Sequence, residues 1–302
     1  MYEEIGQNKR NSIILVVVFA AVLILLGYIF GQVAGFGYFG IVLAFIISTA
    51  MALTGYFRGD KIVLAVSQAK PASREEYPQL YNIVEELIIA SGLPMPKLYI
   101  IHDNDAPNAF ATGRDPDHAS IAVTTALLNR LNRTELQGVL AHELSHIGDY
   151  DILFATLIGI MVGMVALMAD FFLRYTFWGG GRRRSSNNSS GGNGFIMILA
   201  LALAILAPLF ALIIQLAVSR QREYLADANA ALMTRYPEGL ASALEKISRD
   251  PGVLEVSNRA TQHLYIISPI KSIRDRKKKS SLFSTHPPVE DRIKRLREMD
   301  SN

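Results

Sequence analysis

The clearest pattern along the chain is a set of four long apolar runs that carry almost no charge. They occupy residues 13–30, 36–57, 152–173 and 195–217. Each run is long enough to cross a hydrocarbon core of about 30 Å as a helix. The first two are separated by a short Gly-rich stretch and predict a helical hairpin. The last two predict a second hairpin, joined by a flexible Gly-, Ser- and Asn-rich loop at residues 179–194.

Positive charges beside the runs indicate how they are oriented. Lys9 and Arg10 precede the first run, and Arg58 and Lys61 follow the second. Because positive residues favour the cytoplasmic side, both termini and the polar parts of the chain are predicted to lie in the cytoplasm, with the spans in the cell (inner) membrane. The arginines at 182–184 disagree, since they would lie outside if the second hairpin crossed fully. Partial insertion of that hairpin therefore stays open.

The segments between the apolar runs show mixed helix and strand periodicity. A capping box at Ser73 and Glu76 is expected to open a helix that Gly92 closes. Three short strands are predicted at 97–101, 108–112 and 120–124, and helices at 224–233, 237–248 and 289–299. The fold class is α+β, mostly helical, with four transmembrane helices. We divide the chain into a membrane hairpin (1–60), a first catalytic half (61–151), a second hairpin (152–217) and a second catalytic half (218–302).

Composition agrees with a membrane protein that has a sizeable soluble part. Half of the residues are apolar and mean hydropathy is +0.24, yet 19% are charged. The chain has no cysteine, which fits a cytoplasmic domain and removes thiolates as ligands. A basic run at 271–279 suggests nucleic-acid binding, but the net charge is only +3 and no aromatic residues are interleaved. Contact with anionic lipid head groups is the better interpretation, and no nucleic-acid partner is predicted.

Two histidines and a glutamate form the strongest chemical motif, His142-Glu143-Leu-Ser-His146. Asn132 and Glu135 upstream are typical of a capping box, so the motif is predicted to lie on a helix. Residues four apart share a helical face, which lets both imidazoles reach one metal ion while Glu143 reaches a water beside it. The alternative is a pair of ordinary histidines on the surface of an amphipathic helix.

A catalytic zinc site commonly has three protein ligands and one open position. Glu223 is the best candidate for the third ligand, and Asp227 follows it one helical turn later. Asp227 can then accept the remaining N–H of a ligating histidine and fix its tautomer. By itself this acidic pair would more often be a solvated helix face.

Four ordered motifs together carry a resemblance to a known family. They are Pro107-Asn-Ala-Phe-Ala-Thr-Gly113, His142-Glu143-x-x-His146, Ser219-Arg-Gln-Arg-Glu223-Tyr-Leu-Ala-Asp227 and Ser284-Thr-His-Pro-Pro288. The chain resembles the HtpX-type membrane zinc metalloproteases, relatives of the CAAX prenyl endopeptidases. The resemblance implies a gluzincin-like site with one Zn²⁺ per chain, in which His142, His146 and Glu223 are the ligands and Glu143 is the general base.

The resemblance also assigns roles outside the metal motif. It implies that the strand at 108–112 binds extended substrate through Asn108, Ala109 and Phe110, with Asn108 aiding the substrate carbonyl. Turn chemistry after Pro107 is the alternative for Asn108. His286 is implied to stabilise the oxyanion of the reaction, and a capping or packing role is its alternative.

These features predict a membrane-anchored zinc endopeptidase, acting on misfolded or surplus membrane proteins in quality control or a stress response. One alternative is a CAAX-type prenyl endopeptidase, which would be expected to have more than four spans. The other is a non-catalytic zinc-binding membrane scaffold, which would not need Glu143. The oligomeric state is left open by the sequence.

Overall fold

The computed structural model describes residues 2–33, 37–161, 220–249 and 287–300. The helices of this part are α1 (Tyr2–Val33), α2 (Phe39–Val66), α3 (Pro78–Ser91), α4 (Thr125–Arg130), α5 (Arg133–Gly148), α6 (Asp151–Met161), α7 (Arg220–Thr234), α8 (Pro237–Arg249) and α9 (Val289–Asp300). The strands are β1 (Lys70–Pro71), β2 (Lys97–Ile101), β3 (Ala109–Gly113) and β4 (Ala119–Thr124).

The N-terminal hairpin of long apolar helices is confirmed. Stretches of α1 (Ile5–Leu25) and α2 (Phe39–Val66) are long and apolar enough to cross a membrane. The third run begins as α6, which meets α5 at an angle of 86° and makes a third span only if the bent pair is counted as one. The run at 195–217 and the loop at 179–194 lie outside the described residues. Four spans, and the division into four parts, therefore stay predictions.

Helices greatly outnumber strands in the described part, and the strands form one small mixed sheet in the order β1-β2-β4-β3. β2 and β4 are parallel, with Leu98 opposite Ile121. β3 runs antiparallel to β4, with Phe110 opposite Ala122. An α+β, mostly helical fold is thus confirmed. The order leaves β3 at one edge of the sheet, on the side of α5.

The helix expected to open at Ser73 begins later, at Pro78. The Ser73 hydroxyl does accept the backbone N–H of Glu76 at 3.1 Å, but the residues between them form a turn. Pro78 explains the shift, because proline suits the first helical position and keeps the residue before it, Tyr77, out of the helical region. The predicted end is correct, since Gly92 follows the last turn in the left-handed conformation.

The helix that carries the histidines starts at a complete capping box. Asn132 accepts the N–H of Glu135, and Glu135 in turn accepts the N–H of Asn132. Glu135 is buried and also accepts hydrogen bonds from Ser242 and Lys246 of α8 at 2.7 and 2.8 Å. The first turn of α5 is therefore fixed both from within and by a neighbouring helix.

A close contact between α5 and α8 requires a glycine. A Cβ atom at Gly138 would lie only 2.6 Å from the backbone nitrogen of Leu240. This approach allows the apolar faces of α3, α5, α7, α8 and α9 to share one core with the sheet. A second cluster joins α1 to α6 through buried side chains that include Phe19 and Phe154. The histidine helix is thus packed inside the soluble core, and the helix that follows it packs against the membrane hairpin.

Candidate metal centre

The two histidines of α5 point their rings at each other from consecutive turns. His142 Nε2 and His146 Nε2 are 3.2 Å apart. Glu223 approaches from the first turn of α7, with its carboxylate oxygens 3.8 Å from His142 Nε2 and 3.7 Å from His146 Nε2. Ligand atoms around a tetrahedral zinc, with bonds of about 2.0–2.1 Å, lie roughly 3.4 Å apart. The two Nε2 atoms and the Glu223 carboxylate therefore lie close to the spacing of a zinc site, and the three residues form a group that could hold a metal ion.

His142 is held from behind by a carboxylate and an arginine. Its Nδ1 lies 3.0 Å from Asp227, one turn after Glu223 on α7. Arg292 of α9 makes two hydrogen bonds to the same carboxylate, at 2.7 and 2.8 Å. Burial of the ring and the nearby charge of Arg292 lower the pKa of His142 to about 4, against the pull of Asp227. The imidazole is therefore neutral at physiological pH, which is the state that binds a metal.

His146 has a different partner, supplied by the segment just after α5. Its Nδ1 lies 3.1 Å from Asp151 at the start of α6. Burial alone would lower the pKa of His146, but the hydrogen bond to Asp151 and the charge of Glu223 outweigh it and raise the pKa to about 9, so the ring has to release a proton when it binds a metal. Each histidine thus has one ring nitrogen toward the metal group and the other on a carboxylate, the arrangement that fixes the tautomer of a metal ligand.

Glu143 lies between the metal group and the sheet. It is buried, and its carboxylate accepts the backbone N–H of Ala111 in β3. Burial, together with the negative charge of Glu223, raises the pKa of Glu143 to about 7. A carboxylate with a pKa near the working pH is well matched to taking up and releasing a proton.

The edge strand β3 runs beside this glutamate. Backbone pairing of Asn108 with Thr124 sets the alternation, so the backbone groups of Phe110 and Thr112 bond to β4 while those of Ala109 and Ala111 point away from it; all five residues of β3 are buried. The Asn108 side chain accepts the N–H of Ala109 at 3.1 Å. This bond reaches the next residue, and not the residue two positions on as in a turn stabilised by asparagine, and the role of Asn108 stays a prediction.

Two important residues of the site were missed by the sequence interpretation. Arg292 is one of several basic residues on α9, and its signal would have been its place in an apolar stripe with Val289, Ile293 and Leu296. Asp151 lies five residues after His146 and was not singled out. A carboxylate placed just where the third apolar run begins was a usable signal for it.

One candidate cannot be placed. His286 lies outside the described residues, and its role at the oxyanion stays a proposal. The basic run at 271–279 also falls outside the described part of the chain. Within the described residues the metal group is built by α5 and α7, and the residues behind it come from α6, α7 and α9.

Comparison with known proteins gives a consistent family. A family model described as peptidase family M48 matches residues 74–300. Proteins named protease HtpX homolog from Thermoanaerobacter pseudethanolicus and Dictyoglomus thermophilum are each 45% identical, over 99% of this chain and 98% and 94% of their own. The homologue from Listeria monocytogenes is 43% identical over 99% of this chain and its whole length.

A solved structure shares the fold. The crystal structure of S. mikatae Ste24p superposes with a TM-score of 0.50 at 18% sequence identity, covering 98% of this chain and 67% of that one. This likeness supports the fold alone, and the resemblance to HtpX-type proteases rests on the full-length relatives. Because the family model covers both the histidine motif and the α7 and α9 helices, the chain belongs to peptidase family M48.

Proposed function

We propose that this chain, a membrane endopeptidase, hydrolyses peptide bonds at a zinc ion held by His142, His146 and Glu223. The observation that carries the proposal is the convergence of their ligand atoms within 4.8 Å of one another. The donor set of two imidazoles and one carboxylate is the one found in gluzincin-like hydrolases and favours zinc over harder cations. One zinc ion per chain is expected.

When bound, zinc supplies a Lewis acid that polarises the scissile carbonyl and makes a neighbouring water more acidic. Glu143 takes a proton from the attacking water and later gives it to the nitrogen of the leaving amine. Its raised pKa of about 7 supports both steps, because the carboxylate can hold a proton without trapping it. Asp227 and Asp151 keep the two histidines oriented throughout.

The edge of β3 is the proposed binding site for substrate backbone. The N–H of Ala109 bonds the Asn108 side chain and the N–H of Ala111 bonds Glu143, so the carbonyl groups of the two alanines are the ones proposed to pair with an extended peptide. Main-chain pairing of this kind recognises an extended backbone rather than particular side chains, which suits a protease with loose sequence preference. Phe110 is fully buried and supports the strand, and Asn108 is proposed to aid the substrate carbonyl.

The two apolar helices that precede the catalytic part support action beside a lipid bilayer. We place the metal group on the cytoplasmic side, following the charges that flank the first hairpin. Misfolded or surplus membrane proteins are the proposed substrates, in membrane-protein quality control or a stress response. The name of the full-length relatives, protease HtpX homolog, supports the peptidase part of this proposal.

The proposal is tested with Glu143→Ala in the full-length protein purified in detergent. We expect full zinc content but a loss of casein cleavage of about 100-fold or more, because the general base is removed while the ligands remain. Glu75→Ala, at an exposed glutamate of the turn before α3, is the matched control and should behave as the parent protein. Undiminished cleavage by Glu143→Ala would refute the assigned base. A parent protein that binds zinc and cleaves nothing would support the scaffold alternative.

A CAAX-type prenyl endopeptidase is the second candidate, and the fold shared with Ste24p favours keeping it in the test. It predicts cleavage of a prenylated CAAX peptide and little cleavage of unfolded protein. The same preparation can be given both substrates. Preference for casein supports the general protease.

A further inference from the structure

The first membrane helix reaches into the surroundings of the metal group. The side-chain nitrogen of Asn8 donates to Asp151 Oδ1 at 2.6 Å and to the backbone carbonyl of Asp149 at 2.9 Å. Asn8 is buried, with 4% of its surface exposed, although it lies only a few residues from the start of the chain. A buried amide needs a partner of this kind, because an unpaired polar group is costly away from water.

Asp151 connects Asn8 to a proposed ligand. Its other oxygen, Oδ2, lies 3.1 Å from His146 Nδ1. The carboxylate thus has one oxygen on the histidine and one on the amide from α1. Rotation of the carboxylate would break both bonds, so the amide holds the oxygen that orients the imidazole.

Contacts along α1 fix the position of Asn8. Leu15, Phe19 and Leu23 pack against Phe154 and its neighbours on α6. The Lys9 ammonium lies 4.0 Å from the centre of the Tyr150 ring. Tyr150 is the residue between Asp149 and Asp151 in the sequence, the two residues that Asn8 contacts. α1 is therefore held against the segment after α5 at its polar end and along its apolar face.

We propose that Asn8 is a positioning residue for the metal centre, acting through Asp151 on His146. The first membrane helix is then a structural part of the active site as well as an anchor. The inference rests on the proposed function in one respect, that His146 is a zinc ligand. It predicts an energetic coupling between a membrane-helix amide and zinc binding.

The test is a double-mutant cycle on zinc affinity, measured by competition with a chelating dye on the full-length protein in detergent. Asp151→Ala should weaken zinc binding about tenfold or more, the usual effect of losing a partner of a ligating histidine. Asn8→Ala should weaken it by roughly fivefold, because it acts one bond further away. In the Asp151→Ala background, Asn8→Ala should have no further effect, since its route to the metal is gone.

Additive effects of the two substitutions would overturn the proposal, and so would unchanged zinc affinity in Asn8→Ala. Ser12→Ala is the matched control, because Ser12 is also buried on α1 but, among the described residues, its side chain bonds only its own helix, at the carbonyl of Asn8. It should leave zinc affinity unchanged. If Asn8→Ala does not fold, Asn8→Ser takes its place in the cycle with a shorter donor.

Two further measurements separate this inference from the proposed function. His146→Ala must lose zinc; if it does not, the ligand assignment fails and the cycle no longer reports on it. The visible spectrum of the cobalt(II)-substituted protein reports ligand geometry and should change in Asn8→Ala but not in Ser12→Ala. The inference would be overturned if His146→Ala loses zinc but the cobalt(II) spectrum of Asn8→Ala is unchanged. Asn8 would then be a packing residue only.

Discussion

The two sides of the metal group hold chemically identical histidines in opposite ways. On one side, His142 meets Asp227, whose charge is balanced by two hydrogen bonds from the buried Arg292. On the other side, His146 meets Asp151, whose main buried contact is the neutral amide of Asn8. The pKa of His142 is lowered to about 4, while that of His146 is raised to about 9.

The difference shows that a carboxylate behind a histidine does not by itself decide the charge of the ring. Arg292 cancels much of the electrostatic effect of Asp227 on His142, so burial is the dominant influence and lowers the pKa of the ring. Asp151 has a neutral amide beside it, so its attraction for a protonated ring, together with that of Glu223, outweighs burial and raises the pKa of His146. The soluble core supplies the first arrangement, and α1 and the start of α6 supply the second.

The largest expected effect comes from removing the ligand that both sides share. Glu223→Ala should reduce zinc content as far as His146→Ala does, because each loses one of three protein bonds. Metal analysis of the purified proteins measures this. Glu238→Ala, an acidic residue of α8 that pairs with Arg297, should keep its zinc. Full zinc occupancy in Glu223→Ala would contradict the assignment of the third ligand.

Breaking the ion pair between Asp227 and Arg292, on the His142 side of the metal group, should lower the stability of the fold. Arg292→Met leaves Asp227 buried without its cation, and loss of one partner of a buried ion pair typically lowers the free energy of unfolding by about 3–5 kcal/mol. Denaturant unfolding in detergent measures it. Lys294→Met on the same helix is the control, since Lys294 is exposed and should change stability by less than about 0.5 kcal/mol. An equal loss in both variants would argue against a special role for Arg292.

Comparing the two carboxylates sharpens the contrast. Asp227→Asn and Asp151→Asn should each weaken zinc binding by roughly 10- to 100-fold, because each removes the acceptor charge behind a ligand. Only Asp227→Asn should also destabilise the fold clearly, since it leaves the buried Arg292 with a neutral partner. Zinc titration and denaturant unfolding on the same samples measure both quantities. A greater stability loss for Asp151→Asn would reverse the comparison.

The smallest effect on zinc affinity is expected from removing Arg222, a cation near Asp151. Arg222 lies 3.3 Å from Asp151 Oδ1 and over the ring of Phe154, at a partly exposed position. Arg222→Met should therefore change zinc affinity by less than about threefold, as a weak and partly hydrated pair would. A tenfold loss in the dye competition assay would instead make Arg222 the main support of Asp151.

The part of the site that is local in sequence was predictable. His142, Glu143 and His146 share a helix, so a period of 3.6 residues brings them together, and the same argument pairs Glu223 with Asp227. Apolar length likewise predicted α1 and α2 correctly. These predictions need only one element at a time.

Contacts between distant elements were not predictable in this way. Arg292 lies 150 residues after His142, and Asn8 lies 143 before Asp151. Nothing near Asn8 marks it as a partner of the site, because an amide at the start of a membrane helix is ordinary. Ser73 failed for another reason, since the turn it caps is real but Pro78 sets the start of the helix.

The capping box of α5 affects how metal binding relates to folding. Asn132 and Glu135 close the first turn, and Ser242 and Lys246 hold Glu135 from α8. The helix therefore has its shape before any ion arrives, and the two imidazoles are already spaced to receive one. Small zinc domains use the metal to order their chain, so that losing it unfolds them. Here contacts within the protein offset the conformational entropy lost when the helix forms, without help from the metal. Loss of zinc should therefore leave a folded apoprotein that can bind zinc again.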